Sequence, residues 1–234
     1  MAKAIVVVGF GPGISTSVAR KFGSEGFSVA LIARNEERLA SGVEALKAKG
    51  ITAAAFPADA GNPAAIREAI AKARKELGPI SVMQWNAHGG NEARDLVIAD
   101  PAVVLGVFDI AIVGLLAAIQ EVLPDLREAK EGAVLVTNGA AGEINPQTDA
   151  FVTGSNPAGM KMMGVAVANA AKDKLVGMLA QRLKDDGVYV GQVMIAGTIK
   201  GTAWDAPNSI DPSAVAEKFW ELYLNRDEIR ARMS

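Results

Sequence analysis

A run of four β-branched residues, Ile5–Val8, ends abruptly in Gly9-Phe10-Gly11-Pro12-Gly13-Ile14-Ser15, after which Val18, Ala19 and Phe22 recur at helical spacing. A buried strand that breaks on glycines and restarts as a helix constrains everything that follows. The first glycine permits a tight turn, and the later ones let backbone N–H groups come close to a ligand. The helix N-terminus then adds its dipole, so the turn suits a pyrophosphate. Any tight strand-to-helix turn can need two glycines, so the context matters. Here the turn follows the first strand of a βαβ unit, and Arg34 closes the second strand 21 residues beyond Gly13. That is close to the ~20-residue spacing at which such units read the adenosine ribose.

Further short apolar runs alternate with longer helical patterns. Val29–Ala33, Thr52–Phe56, Val82–Trp85, Val134–Thr137 and Val188–Ile195 read as buried parallel strands. Asn35, followed by Glu36 and Glu37, caps one intervening helix, and Asn62-Pro63 opens the next. Two βαβ halves with right-handed crossovers place helices on both faces of the sheet. Residues after the last amphipathic helix, Pro212–Leu224, leave little chain for a seventh strand. The helices 101–123 and 160–183 are apolar nearly all round, which predicts core burial together with a helix-to-helix interface in a homodimer or homotetramer.

The 234 residues, half apolar and 21% charged, fit one domain, 1–234, that includes substrate-side loops at 142–161 and 197–212. A formal charge of −2 favours neither nucleic acid nor an anionic membrane, which points to a small-molecule substrate. There are no cysteines and one histidine, so no thiolate, disulfide or zinc-type ligand set is available, and no metal is expected. The start of the chain is unlike a secretory leader. The longest apolar run, roughly Val107 to Ile119, is interrupted by Asp109 and is shorter than the ~18 residues of a spanning helix. A soluble, cytoplasmic protein is the expectation. A Ser-His-Asp hydrolase would need a Gly-x-Ser-x-Gly elbow, which is lacking.

The residue closing the second strand selects between dinucleotides. A carboxylate there accepts from a ribose 2′-OH, whereas Arg34 can clamp a 2′-phosphate in two-pronged fashion, which favours NADP(H) over NAD(H). The plainer alternative is a solvated arginine opening the helix Asn35–Lys49.

With these residues in place, the chain resembles the short-chain dehydrogenase/reductase family over essentially its whole length. The family's Gly-x-x-x-Gly-x-Gly turn is matched by Gly9, Gly13 and Ser15, with serine replacing the last glycine. Asp59-Ala60 matches the aspartate after the third strand, and Asn86-Ala87 matches part of the fourth-strand Asn-Asn-Ala-Gly motif, with His88 in place of its glycine. Ala196-Gly197-Thr198-Ile199-Lys200-Gly201-Thr202 resembles the Pro-Gly-x-x-x-Thr segment over the nicotinamide. The resemblance implies a Rossmann-type, doubly wound three-layer α/β/α sandwich with a six- or seven-stranded parallel sheet. It also implies that Gly9, Gly11, Pro12, Gly13, Ile14, Ser15, Arg34, Asp59, Ala60, Asn86, Ala87, Gly197 and Ile199 hold the cofactor.

The family's active site uses Asn, Ser, Tyr and Lys. Alignment puts Ala111, Gly139, Val165 and Asn169 at those positions, and no tyrosine occurs before Tyr189. The Val193-Met194-Ile195-Ala196-Gly197 pattern is similar to that of an atypical branch lacking the usual tyrosine.

Three residues remain as candidates for catalysis. His88 lies at the carboxyl end of the fourth strand with an unperturbed pKa suited to proton transfer, or is simply packed in its loop. Asn138 can donate to a carbonyl oxygen and Asn169 to ribose hydroxyls, though both amides can equally satisfy the buried backbone. The long segment Gly142–Lys161 is read as a lid or substrate wall carrying Phe151, Asn156 and Lys161, or as a mobile loop. Two functions stay open: an NADP(H)-dependent oxidoreductase acting on an apolar carbonyl or alkene with a non-standard donor, and an NADP(H)-binding sensor or partner subunit without catalysis.

Overall fold

The computed structural model describes residues 3–90 and 92–234. In chain order the elements are β1 (Lys3–Val8), α1 (Ile14–Ser24), β2 (Phe27–Ala33), α2 (Glu36–Lys47), β3 (Ala53–Pro57), α3 (Pro63–Leu77) and β4 (Ile80–Trp85). Next come α4 (Pro101–Phe108), a π-helical segment (Asp109–Gly114), α5 (Leu115–Glu128), β5 (Ala133–Gly139), the short α6 (Pro146–Val152) and α7 (Met163–Leu183). The chain closes with β6 (Tyr189–Ile195), α8 (Pro212–Asn225) and β7 (Arg230–Met233). The strands form one seven-stranded sheet in the order β3-β2-β1-β4-β5-β6-β7, and every pairing is parallel.

Side-chain alternation along β1 divides the interior into two cores. Val6 and Val8 join Met83, Trp85, Leu115, Ile119 and Val176 on the face covered by α3, α5 and α7. Ile5 and Val7 join Phe22, Leu39, Phe219 and Tyr223 on the face covered by α1, α2 and α8. Burial on both faces explains the unbroken apolar runs of the strands. The chain reverses its winding between β1 and β4, so the carboxyl ends of these neighbours open the crevice in which a doubly wound sheet binds its ligand.

The seventh strand forms despite the short stretch of chain left for it. Arg230–Met233 alternates basic and apolar residues, burying Ala231, while Arg230 bonds to Asp173 and Arg232 donates to Glu143 at 2.9 Å. Charges along an outer strand also discourage pairing with another sheet. A second departure is the continuous helix Pro101–Glu128, whose 28 residues contain an 18-residue window of mean hydropathy 2.6. The apolar stretch is therefore longer than the expected 13-residue run, and by length and composition alone such a helix could cross a membrane. Its second half is instead a core helix, with Leu115, Ala118, Ile119, Val122 and Leu126 buried beside the sheet.

The π turn in this helix pushes Gly114 onto the loop after β3. A Cβ at Gly114 would lie 1.9 Å from the Ala60 carbonyl oxygen. Backbone meets backbone there, so neither partner can swing aside. Gly114→Ala is expected to lower unfolding free energy by roughly 1–3 kcal/mol in urea titrations, the usual scale of overpacking. A loss within about 0.5 kcal/mol, as at an unconstrained surface position, would show that the contact does not constrain the fold.

Candidate active site

The glycine turn is built by close approach. Gly9 has φ +83°, and a Cβ there would sit 2.4 Å from the Ala87 backbone nitrogen, so β1 and the segment after β4 can meet only through glycine. Asn86 continues the strand pairing, donating its backbone N–H to the Val8 carbonyl at 2.8 Å. Gly13, with φ +89°, N-caps α1 without a side chain, and no acidic residue occupies the first turn of that helix. The helix therefore presents an uncapped positive end, with Ile14 as its first residue, beside Gly11 and Pro12.

Ser15 is fully buried, and its hydroxyl is spent inside the turn. It accepts from the Gly11 N–H at 2.9 Å and donates to the Gly11 carbonyl at 3.0 Å, and Thr16 donates to the same carbonyl at 2.7 Å. The serine thus braces the turn from within, where the family pattern has a glycine.

At the adenosine end, Arg34 is exposed where β2 gives way to α2. Arg38, four residues on, was not singled out by sequence, yet its Nη1 lies 3.9 Å from the position of a Cβ on Gly11. Asn35 holds the first turn of α2 by accepting from the Arg38 backbone N–H at 2.7 Å. Asp59 accepts from the Gly61 N–H at 2.9 Å, and Ala60 is pinned by Gly114, so this loop is held against the π segment. On the opposite side, Ile199 is buried against Gly13, 3.2 Å from the position of a Cβ there. The stretch after Gly197 folds back on itself, with Ile210 N–H donating to Thr198 at 2.9 Å and Lys200 N–H to Ile210 at 3.0 Å.

The remaining sequence candidates fall into two groups. Asn138 is buried and committed: its Nδ2 donates to the Asn169 carbonyl at 3.1 Å and to Gln192 Oε1 at 2.9 Å, and Gln192 in turn donates to Asp173. It satisfies the core and braces α7 against β5 and β6. Asn156 is likewise spent on its own loop, donating to the Phe151 and Met160 carbonyls at 2.7 and 2.6 Å. Lys161 pairs with Asp95, and the neighbouring Gly164 N–H donates to Ala93 at 2.9 Å, so the 142–161 segment is stitched to the loop after β4. Part of that segment is helical, because Asn145 caps α6 and Pro146 opens it.

His88 and Asn169 face a different situation. Asn169 Nδ2 lies 2.6 Å from where a Cβ on Gly139 would be, so the amide fills the space that a side chain at 139 would need. His88 follows β4, and its Nδ1 accepts from the Gly90 N–H at 3.1 Å, which leaves the proton of the neutral ring on Nε2. Although the residue as a whole is open to solvent, its imidazole is crowded by protein. That loss of hydration, with the charge of Lys172 second, lowers its pKa.

Lys172 is a buried cation that the sequence reading did not single out. Only 3% of it is exposed, on the same stripe of α7 as Asn169 and Val176. Burial brings its pKa from 10.5 down to about 8, and among the described residues no ion pair offsets that cost. A lysine at helical spacing from Asn169 and Val176, on the face of α7 that also carries Ala168 and Leu183, was the available signal.

The sequence pattern of the family described as short chain dehydrogenase matches residues 3–209. The chain belongs to that family. Among curated relatives, 2,3-dihydro-2,3-dihydroxybenzoate dehydrogenase of Bacillus subtilis is 41% identical over 81 residues, covering 35% of this chain and 31% of that enzyme. This match therefore spans less than a third of the relative. The 3-oxoacyl-[acyl-carrier-protein] reductase FabG of Staphylococcus epidermidis is 26% identical over 197 residues, 80% of each chain. A short chain dehydrogenase from Burkholderia cenocepacia solved in complex with NADP superposes with a TM-score of 0.85 at 19% identity, covering 99% of this chain and 96% of that one. It shares the Rossmann-type three-layer fold. The chain is thus a member of the short-chain dehydrogenase family by sequence pattern, and its architecture is the same three-layer fold.

Burial of Lys172 has a thermodynamic signature. The native lysine releases its proton near pH 8, while the unfolded one keeps it to about 10.5. Between those values the unfolded state binds more protons, so stability rises with pH. Wild type is expected to gain on Lys172→Met across that window by an amount on the order of 3 kcal/mol in denaturant titrations at stepped pH. Parallel pH curves for the two proteins would show that the amine is solvated.

Proposed function

We propose that this short-chain dehydrogenase binds NADP(H) and reduces a small, largely apolar carbonyl or alkene, or oxidises the corresponding alcohol, without the family's usual acid. The observation that carries this reading is the uncapped α1 terminus, in a turn whose Gly9 packs on Ala87 and whose Gly11 lies beside Arg38, with Arg34 exposed at the end of β2. Arg34, just before the N-cap of α2, and Arg38, in its first turn, offer a 2′-phosphate two guanidinium partners in place of the carboxylate that a free 2′-OH would favour. The pyrophosphate suits the Gly13 and Ile14 N–H groups at the α1 terminus, and Ile199 closes the far side. When bound, the reduced nicotinamide supplies the hydride, and the protein's share is to orient the substrate, exclude water and provide a proton.

An apolar substrate fits the rim. Ile144, Phe151 and Trp204, with Val97 and Ile98, are exposed on the three loops that follow β5, β6 and β4 at the carboxyl edge of the sheet. Exposed apolar side chains gathered at a crevice mark a binding surface more often than chance. The stitched 142–161 segment fits a wall better than a freely swinging lid. The reading also carries a cytoplasmic location, where NADPH is supplied.

A second reading, a cofactor-binding sensor or partner subunit without turnover, is favoured by one observation. Asn169 occupies the space beside Gly139, and Ala111 and Val165 offer no proton at the positions that the resemblance assigns to the active site.

One titration series separates the two. NADPH is expected to enhance or shift its fluorescence on binding, about 10–100-fold tighter than NADH, from charge-assisted hydrogen bonds of about 1.5–3 kcal/mol. The double variant Arg34→Ala/Arg38→Ala is expected to lose that preference. Turnover of a panel of carbonyl and enone compounds upholds the oxidoreductase. Tight binding with no turnover across the panel moves the function to the sensor, and equal affinity for NADH overturns the cofactor assignment.

We further propose self-association through the exposed apolar faces of the 101–123 and 160–183 helices, which carry Leu105, Val113, Val167 and Met178. Sedimentation equilibrium is expected to return a dimer or tetramer that Val113→Glu/Val167→Glu dissociates. A wild-type monomer at micromolar concentration would refute it.

A further inference from the structure

Lys172 lies one turn too deep on α7 to match the family's pattern residue by residue, yet helix geometry brings its ammonium back. Every Cα–Cβ bond in an α-helix tilts toward the N-terminus, and long side chains lie over the preceding turn. α7 starts beside the site, where Met163 and Gly164 bond to the loop after β4, and runs away from it. A lysine three residues beyond Asn169 therefore projects up the helix toward Asn169, over a distance comparable with the ~5.4 Å pitch. There Asn169 meets Gly139 at the carboxyl end of β5, and the lysine charge is felt by His88 at the end of β4. Lys172 and His88 are thus rooted on α7 and on the segment after β4, two elements joined at this end of the sheet by the Met163 and Gly164 bonds.

The surroundings leave the amine free to act. The turn 140–142 and β5, both packed on α7, present no titratable side chain to it, and β6 presents Gln192. Asp173, next to Lys172 on α7, is held by Gln192 and Arg230, and Asp109 stands on the π segment without pairing to Lys172. α4 carries no charge. A buried lysine with no carboxylate to neutralise it is costly to keep, and such groups cluster where protons are moved.

We propose that Lys172 delivers the proton in carbonyl reduction, taking the part that a tyrosine takes in the family, while the His88 Nε2–H donates a hydrogen bond to the same oxygen. The proposal rests on the oxidoreductase reading above. In the step, the carbonyl carbon accepts a hydride with its electron pair from the reduced nicotinamide, and the C=O π pair moves to oxygen. That oxygen takes a proton from the Lys172 ammonium, giving the alcohol, the oxidised dinucleotide and a neutral amine. The amine recovers its proton from solvent, and alcohol oxidation runs the same sequence backwards. His88 does not supply this proton, because Nδ1 accepts from Gly90 and its lowered pKa keeps the ring neutral. The lysine's pKa of about 8 suits donation near neutral pH.

The test uses wild type, Lys172→Met and Lys172→Arg with two readouts. The first is calorimetry of NADP+ binding near pH 7.5 in buffers of different ionisation enthalpy. The positive nicotinamide ring should expel a proton from wild type and from neither variant, since methionine has none to give and arginine holds its own. The second is the pH profile of reduction, where wild-type kcat should fall above about pH 8. Both variants should lose about 10²–10⁴-fold, with NADPH affinity kept in Lys172→Arg.

Equal proton release by all three proteins, or kcat in Lys172→Met within about twofold of wild type, overturns the assignment. So does full rescue by Lys172→Arg, which would mean that only the positive charge matters. A wild type that binds NADPH but turns over nothing in the panel overturns the oxidoreductase reading and this proposal together. Failure of the Lys172 assignment alone is distinguished by a wild type that turns over as well as its variants.

Discussion

Contact between the end of β1 and the segment after β4 sets the position of everything else in the site. Gly9 leaves β1 at a positive φ, and its missing side chain lets the Ala87 backbone come within a distance that no Cβ would tolerate. The two strands are neighbours only because the chain crosses back from the β3 edge to the middle of the sheet. That crossover opens the crevice, and the glycine lets its floor close. α1 is then aimed across the floor with its N-terminus uncapped. Ile199 and Thr202 close on Gly13 from the loop after β6. A larger residue at Gly9 would displace the β4 segment, and with it Asn86, Ala87 and His88.

Much of this architecture is written locally. Six of the strands are β-branched or apolar runs between turn residues, and the glycine turn is specified by its own seven residues. Helix starts are written just as locally: Asn62-Pro63, Asp100-Pro101, Asn145-Pro146 and Asp211-Pro212 are four uses of one device, a capping oxygen followed by a proline that needs no N–H donor. The same rule that located α3 in the sequence would have located α6 inside a stretch taken for loop. β7 was hidden because four residues with alternating arginines satisfy a strand only once Asp173 and Glu143 are there to receive them. The π turn had no local signal, since it answers a carbonyl on another loop.

The glycine turn was legible in the sequence and the buried amine was not, for a related reason. Backbone amides recognise phosphate, so the residues that matter are those without side chains, and their spacing is fixed by the turn. Proton transfer depends on where a long flexible side chain ends, and spacing along the helix reports only where it begins. Position 169 shows an amide and suggests that no lysine remains. A lysine rooted one turn below can bring its ammonium to the same level. Asn138 illustrates the converse, a polar residue well placed in sequence but consumed by Asn169 and Gln192.

The bonds from Asn138 to Gln192, from Gln192 to Asp173 and from Asp173 to Arg230 link β5, β6, α7 and β7 in one polar line through the interior. Arg232 adds a parallel tie to Glu143, at the start of the substrate wall. The edge strand thus does more than complete the sheet: it clamps the helix that bears Asn169 and Lys172. In this protein the outermost, most dispensable-looking strand works as a buttress, and wear at that edge would be felt as play in the position of the buried amine beside Asp173.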